Sequence, residues 1–590
     1  MSYIYNSLIL LFFFIFFSTS VIGYGVAIKK MILRFEFNFG ELGILGFLSL
    51  YILSVFLNFF IPLNIWITLA IIFFGLILFF SNFNQFEFPE FKILIIIFIL
   101  SFLSSLTVSL HDDHLLYQIP YIKYKQEFKI IFGLISLNDY LAYSHGFYDI
   151  MSLFKIPILE NRLVFLLPII FFMFFIISLI SYLRKDDTIL QTLIYFIFLL
   201  TLLKFTRSKE FGTDIPVIAL IFLIQIYLLK FNSTKKLEYF YKMITIFSMA
   251  VIFKIYAALA IFYFFIFSKF AKGIVKDLIS KQKLVLFFLV FLTLITFTKN
   301  LIQSGCLTYP ASSTCFDKKI IPWSAGKELS EWRQDFLKGG VKGWMAYVRE
   351  NNYQNKISPK EYKQEFKYNY HLNVIKDPDI ERILIVLAIL LTTLLLVSFG
   401  ERQKINKNKL FSTSFFAASF LPFFSWFIYM PYIRYGGYAY LPFFFLVLFY
   451  NFFNFKKTEK YFFIFIVLSI FYFTSKNIKR IENEVLNKDN TFITNDFPIP
   501  SFREFKYKKK KFGDTLVNIS EHNWSCGKVP VPCLPGYFEN MKLTINFNRG
   551  YMFLKSNENE QIEILNEKLK IYNLSKDRYK NDFNKKIRYK

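Results

Sequence analysis

The chain has 590 residues, 55% of them hydrophobic and 21% aromatic, with a mean hydropathy of +0.42; this excess over what a soluble core needs excludes an ordinary water-soluble enzyme. The net charge of +27 comes from 69 Lys and Arg against 42 Asp and Glu, and much of it sits in short loops and a lysine-rich tail, where anionic lipid headgroups account for it without nucleic acid. The chain shows no Walker loop, GxGxxG turn, HExxH helix or serine-nucleophile elbow, so ATP-driven chemistry has no support in it.

In chain order, residues 1–110 read as N-terminal transmembrane spans. Met1 to Ile28 lacks the basic start and small-residue cleavage site of a signal peptide and reads as the first span. Further apolar runs, such as LVFLLPIIFFMFFIISLISYL at 163–183 and ILIVLAILLTTLLLVSF at 383–399, are about the 20 residues needed to cross a bilayer as a helix. About fourteen hydrophobic segments are expected, two of them short.

Residues 111–160 are expected to form an outer loop. It opens with HDDHLLYQ and continues in apolar and aromatic residues mixed with charges, which predicts helices lying in the membrane interface. Asp112 and Asp113 follow an apolar run directly. Carboxylates against a low-dielectric wall suit a general base for a sugar hydroxyl, or a ligand for a divalent cation such as Mg or Mn; the plainer reading is a polar cap at the membrane boundary.

Residues 161–299 read as a transmembrane bundle. The basic connectors KKMILR, LRKDD, KFNSTKK, SKFAKGIVKDLISKQK, GERQKINKNK and NFKKTEK all fall on one side if Met243 to Phe267 is a hairpin of two half-length helices turning near Lys254. Lys254 at membrane depth needs a partner, a lipid phosphate being one, unless it reaches the interface by snorkelling. Asp214 and Arg434 mark the outer ends of two other spans, and an arginine fork followed by glycines suits a phosphate, with a boundary anchor as the alternative.

This orientation puts 110–161, the loop 300–380 and the C-terminal region 476–590 outside, with 381–475 forming the last spans. All four cysteines fall in these outer segments. Cys306 with Cys315 and Cys526 with Cys533 would close short loops in an oxidising compartment, while a zinc site is the rival reading, although neither spacing matches a CxxC knuckle. The tail, with KVPVPCLP and the alternating MKLTINFNRGYMFLK, predicts a small α+β extracytoplasmic cap.

Together these features resemble the GT-C class of polytopic glycosyltransferases, and within it an uncharacterised bacterial membrane-protein family. The residues that carry the resemblance are HDDHLLYQ, Gly133-Leu134 to Leu137-Asn138, NLIQSGCLTYP, IRYGGY and CGKVPVPCLP, in that order. The resemblance implies an all-α membrane bundle in the bacterial inner membrane and transfer of a sugar from a polyprenyl-phosphate donor to an envelope glycan or lipid on the outer face. It also implies Asp112 or Asp113 as the base and Lys254 and Arg434 for the donor phosphate, and Tyr117, His145 and Asp214 complete the residues expected to bind substrate or donor phosphate. No oligosaccharyltransferase WWD signature is present. A polysaccharide polymerase or ligase using Arg434 and His145, or a lipid or glycan transporter, are the competing readings.

Overall fold

The computed structural model describes residues 2–107, 113–143, 145–156, 161–183, 188–206, 213–341, 413–449, 459–486, most of 493–566 and a few isolated positions. Asp112 and most of the apolar run 383–399 lie outside the described residues. What is described is mostly helical. Among these residues five helices are long and apolar enough to cross a membrane and five more are apolar but shorter; the larger count expected from hydropathy includes such short segments.

The first helices are α1 (Ser2–Ile28), α2 (Phe39–Phe60), α3 (Ile65–Phe80) and α4 (Phe91–Ser105). α1 packs on both α2 and α3. The crossings are close because glycine leaves room for backbone: a Cβ on Gly25 would lie 1.8 Å from the Leu42 carbonyl oxygen, and one on Gly46 would lie 1.9 Å from that of Val21. The outer faces of α3 and α4 expose Trp66, Phe73, Phe74, Phe91, Ile96 and Ile99, an apolar surface that water disfavours and lipid accepts.

α7 (Leu166–Leu183), α8 (Thr188–Lys204) and α9 (Asp214–Thr234) form the interior, and α9 is buried along its apolar length. α10 (Glu238–Phe253) returns beside α9 and stops at Lys254, whose backbone is extended. A 3-10 helix (Ile255–Phe270) then runs back along α10 and bends by 104° into the short amphipathic α11 (Ala271–Ser280). The turn at Lys254 is where the charge pattern requires it. The two arms are longer than half-length, because α10 begins five residues before Met243 and the tighter 3-10 winding stretches the second arm to about 2 Å per residue.

α12 (Lys283–Ser304) follows, then a disulfide-bonded loop, α13 (Gly326–Val341), α14 (Thr413–Tyr429), α15 (Tyr438–Phe449) and α16 (Glu459–Leu486). Hydrogen bonds define the two ends of the bundle. At one end Glu41 of α2 accepts from Tyr182 of α7 at 2.5 Å and from Tyr227 of α9 at 2.7 Å, with Lys242 of α10 at 3.9 Å. The opposite end gathers the start of α9, the end of α10, the end of α12 and Arg480 of α16, which donates to the Thr206 carbonyl after α8. The three segments assigned to one side by charge meet there: the Gly133 N–H donates to the Ile302 carbonyl, and Phe132 bonds to Met552 and Leu554.

Residues 113–156 carry the short helices α5 (Ile119–Glu127) and α6 (Gly146–Met151). They do not form an exposed interfacial roof. They are largely buried, because the C-terminal region lies over them. That region has the antiparallel pair β1 (Ile493–Thr494) and β2 (Ser501–Phe502), a sheet of order β3-β4-β5, and a hairpin of β6 (Leu543–Asn548) with β7 (Tyr551–Ser556). β3 (Tyr507–Phe512) pairs antiparallel with β4 (Thr515–Ser520), and β5 (Cys533–Leu534) adds parallel to β4. The hairpin turns at Arg549 and Gly550, both at positive φ, as a two-residue loop requires.

Replacing Gly25 or Gly46 by valine is expected to lower the thermal unfolding temperature of the detergent-solubilised protein, at a cost of about 1–3 kcal/mol or more from overpacking. Gly273→Ala in α11, where a Cβ meets nothing within 4 Å, should leave it unchanged or raise it slightly.

Candidate functional site

An ion triad lies at the loop end of the bundle. Asp214, the first residue of α9, is fully buried at a helix N-terminus, where the backbone dipole favours a carboxylate. Its Oδ1 accepts from the Lys254 ammonium. Its Oδ2 accepts from Arg434 Nε and Nη2, both at 2.8 Å. Lys254 is free to reach it because α10 ends one residue earlier.

Arg434 lies in the turn IRYGG between α14 and α15, where Gly436 has φ +99° and a Cβ on Gly437 would sit 2.4 Å from the Trp426 ring. The turn therefore needs its glycines. The triad holds two cations against one carboxylate, a surplus of one positive charge, and Lys254 and Arg434 remain 23% and 26% exposed while Asp214 is at 0%.

Asp113 opens the π turn His114–Gln118. Both Asp113 and Asp214 act electrostatically on the phenols of Tyr117, Tyr148 and Tyr435, so the two acids flank one space. Tyr117 stacks on Tyr140, with ring centroids 5.4 Å apart, and on His145 at 5.5 Å. Burial, then neighbouring Tyr148 and Asp113, push the Tyr117 hydroxyl well above its usual range, so it stays a neutral phenol.

His145 is 6% exposed and its Nε2 lies 3.0 Å from the Tyr140 carbonyl oxygen. Burial above all, aided by the Lys254 and Lys299 charges, pulls its pKa down to about 3. The ring is thus neutral near pH 7, packing the site without adding charge for a phosphate. Asp214 likewise cannot bind a phosphate itself; it holds the two cations that could. Among the described residues no three His, Cys, Asp or Glu side chains converge on a metal-sized position.

A second ion centre, which the sequence reading missed, lies at the same end of the bundle, and His145 is within electrostatic reach of both. Asp149 of α6 receives Lys125 of α5 at 2.6 Å, Lys299 of α12 at 2.8 Å and the Tyr121 hydroxyl at 2.6 Å. Lys125 is 2% exposed and Lys299 and Asp149 are at 0%. Burial would raise the Asp149 carboxyl, but the two lysines outweigh it and hold the group at about 2. Burial also pulls Lys125 down, against the opposing pull of Asp149. The available signal was Lys299 in LITFTKN, a cation near the end of an apolar run.

Both cysteine pairs are joined, Cys306 to Cys315 and Cys526 to Cys533, and no cysteine is free, which removes the zinc alternative. The first bridge closes the loop that carries Tyr309. The second sits on α5: the Tyr124 hydroxyl donates to the Cys533 carbonyl at 2.9 Å and accepts from the Cys533 N–H at 2.8 Å.

Two outcomes follow for the folded protein. Removing Asp149 alone (Asp149→Ala) leaves two buried lysines uncompensated and should cost about 3–5 kcal/mol, whereas the triple change with Lys125→Met and Lys299→Met should recover much of it, as measured by thermal unfolding. Below pH 6.5 an unfolded chain protonates His145 while the folded one does not until about 3, so stability falls as pH drops across that window. His145→Gln should reduce the loss between about pH 7 and about pH 4.5 by about 2 kcal/mol.

No characterised protein and no solved structure matches the chain. A family model described as "Domain of unknown function (DUF8201)" matches residues 7–442. Because that match takes in most of the helical bundle together with Asp113, Asp214, Lys254 and Arg434, the chain belongs to this family of unknown function.

Proposed function

We propose that the protein is a GT-C-like glycosyltransferase, a multi-pass protein of the bacterial inner membrane that moves a sugar from a polyprenyl-phosphate donor to an envelope glycan or lipid on the extracytoplasmic face. The observation that carries this reading is the Lys254–Asp214–Arg434 triad beside Asp113. A surplus positive charge at the rim of an apolar bundle suits a phosphate whose lipid tail stays in the membrane. The Asp113 carboxylate, which borders the same space, suits the other half of the reaction.

In the proposed step the acceptor hydroxyl oxygen attacks the anomeric carbon and its proton passes to Asp113, with Asp112 next in the chain. The bond from that carbon to the phosphate oxygen breaks, and the electron pair leaves with the polyprenyl phosphate, whose charge Lys254 and Arg434 stabilise. Asp214 positions both cations. The two disulfides and the basic connectors at the Glu41 end support an outer location for the site. The polymerase reading leans on His145 as a reacting group, and a neutral ring bonded to a backbone carbonyl favours it less.

The test is mass spectrometry of envelope glycans and lipid-linked sugars from cells carrying the wild type, no copy, or Asp112→Asn, Asp113→Asn and Arg434→Lys variants at matched membrane abundance. Asp113→Asn should reduce transfer by about 10²–10⁴-fold, with the lipid-linked donor accumulating. Arg434→Lys keeps the charge but loses the fork, and should lower transfer less. Wild-type glycans in both aspartate variants would refute the mechanism, and unchanged glycans in the deletion strain would refute the activity.

A further inference from the structure

Next to the charged centre lies a group of tyrosines that the proposed chemistry does not use. Tyr309 sits in the Cys306–Cys315 loop, and its ring faces Tyr143 at 5.5 Å. Tyr143 is 5.7 Å from His145 and 6.2 Å from Tyr140, the ring that stacks on Tyr117. On the other side, Tyr256 begins the 3-10 helix just after Lys254, with its ring 5.5 Å from Tyr435. Tyr143 in turn lies within electrostatic reach of Tyr435 and Tyr117, so the rings border the same space as Asp113 and Asp214.

Among the described residues the hydroxyls of Tyr143, Tyr309 and Tyr256 are buried and have no hydrogen-bond partner, and the same holds for Gln118 Oε1 in the turn that Asp113 opens. Tyr309 is 2% and Tyr256 5% exposed. Leaving a buried hydroxyl unpaired is destabilising, and protein interiors satisfy nearly all such groups. Several of them around one site indicate a ligand that bonds to them. Burial keeps the Tyr143 and Tyr309 phenols protonated, and a phenol can both donate and accept.

We infer that Tyr143, Tyr309 and Tyr256, with the stacked pair Tyr117 and Tyr140 as a platform, form a saccharide subsite for the acceptor, separate from the cations that face the donor phosphate. The inference rests on the transferase reading and names the chemistry of its second substrate. A sugar ring presents C–H faces to aromatic rings and hydroxyls at its edge, which is the pairing these side chains offer. A lipid tail would leave the phenols unpaired. An anion would be drawn to the partly exposed Lys254 and Arg434, since Arg333, stacked on Tyr140, is buried in an ion pair with Asp139 and Lys299 is buried against Asp149.

The experiment uses full-length Tyr143→Phe, Tyr309→Phe and the double variant, with Asp113→Asn alongside, read by thermal unfolding in detergent and by mass spectrometry of envelope glycans and lipid-linked sugars. Phenylalanine removes only the hydroxyl. The expected result is an unfolding temperature equal to or above wild type, with transferred sugar reduced at least tenfold in the double variant and the donor accumulating. A lower unfolding temperature would mean that the hydroxyls are already bonded in the free protein, and wild-type glycans in the double variant would mean that they touch no substrate; either overturns the subsite.

The Asp113→Asn arm separates the two readings. Loss of transfer there, with normal transfer in the double Phe variant, rejects the subsite and keeps the transferase. The reverse pattern keeps the subsite and rejects Asp113 as the base, and unchanged glycans in cells without the gene reject both.

Discussion

In a bundle this apolar a charge survives only beside a counter-charge, and that constraint organises the loop end of the molecule. Asp214 is buried at the start of α9, and its carboxylate draws in Lys254 from the break after α10 and Arg434 from the glycine turn before α15. Three helix ends are thereby brought together. Without the carboxylate the two cations would repel each other in a medium that screens them poorly, and the turn at Lys254 would have no reason to point inward.

The second centre does for the outer segment what the first does for the bundle. Asp149 links α5, α6 and α12 through Lys125, Lys299 and Tyr121, and so fixes the floor on which Tyr117, His145 and Tyr148 stand. The C-terminal strands and the Cys526–Cys533 bridge close over that floor from above. This layering explains why residues 113–156 are buried although they are rich in charge: charges find partners within the segment (Lys125 with Asp149), on α12 (Lys299) and α13 (Arg333), and in the cover, where Lys123 donates to the Gly527 and Val529 carbonyls. It also leaves the site lined by neutral phenols and bounded by ions, a surface suited to a polar, uncharged ring next to a phosphate.

At the Glu41 end the same logic runs on hydrogen bonds instead of full ion pairs. Asn38 and Glu41 cap α2 reciprocally, and the remaining carboxylate oxygen takes the Tyr182 and Tyr227 hydroxyls. Such a node ties α2, α7 and α9 by hydrogen bonds, with Lys242 of α10 3.9 Å from the same carboxylate balancing its charge. The two ends therefore differ, with a satisfied node at one and, among the described residues, a surplus cation with unpaired phenols at the other, and only the second has groups left to bind a substrate.

The sequence by itself determined the class and much of the layout. Apolar runs of spanning length require a helical membrane-type bundle. The basic residues at both ends of 243–267 require a turn near Lys254, and the short Cys spacings permit local bridges; the structure has the turn and both bridges. Asp214, Lys254 and Arg434 were conspicuous singly, because desolvation makes any charge near the end of an apolar run expensive. Only the tertiary structure decided that they pair, across 40 and 220 residues of chain, since helix packing and not local sequence sets which ends meet. The Asp149 centre and the tyrosine cluster stayed hidden for the same reason: Lys125 and Asp149 sit in a segment already rich in charge, and among 37 tyrosines nothing local marks Tyr143, Tyr309 and Tyr256 as the ones that border the ion triad.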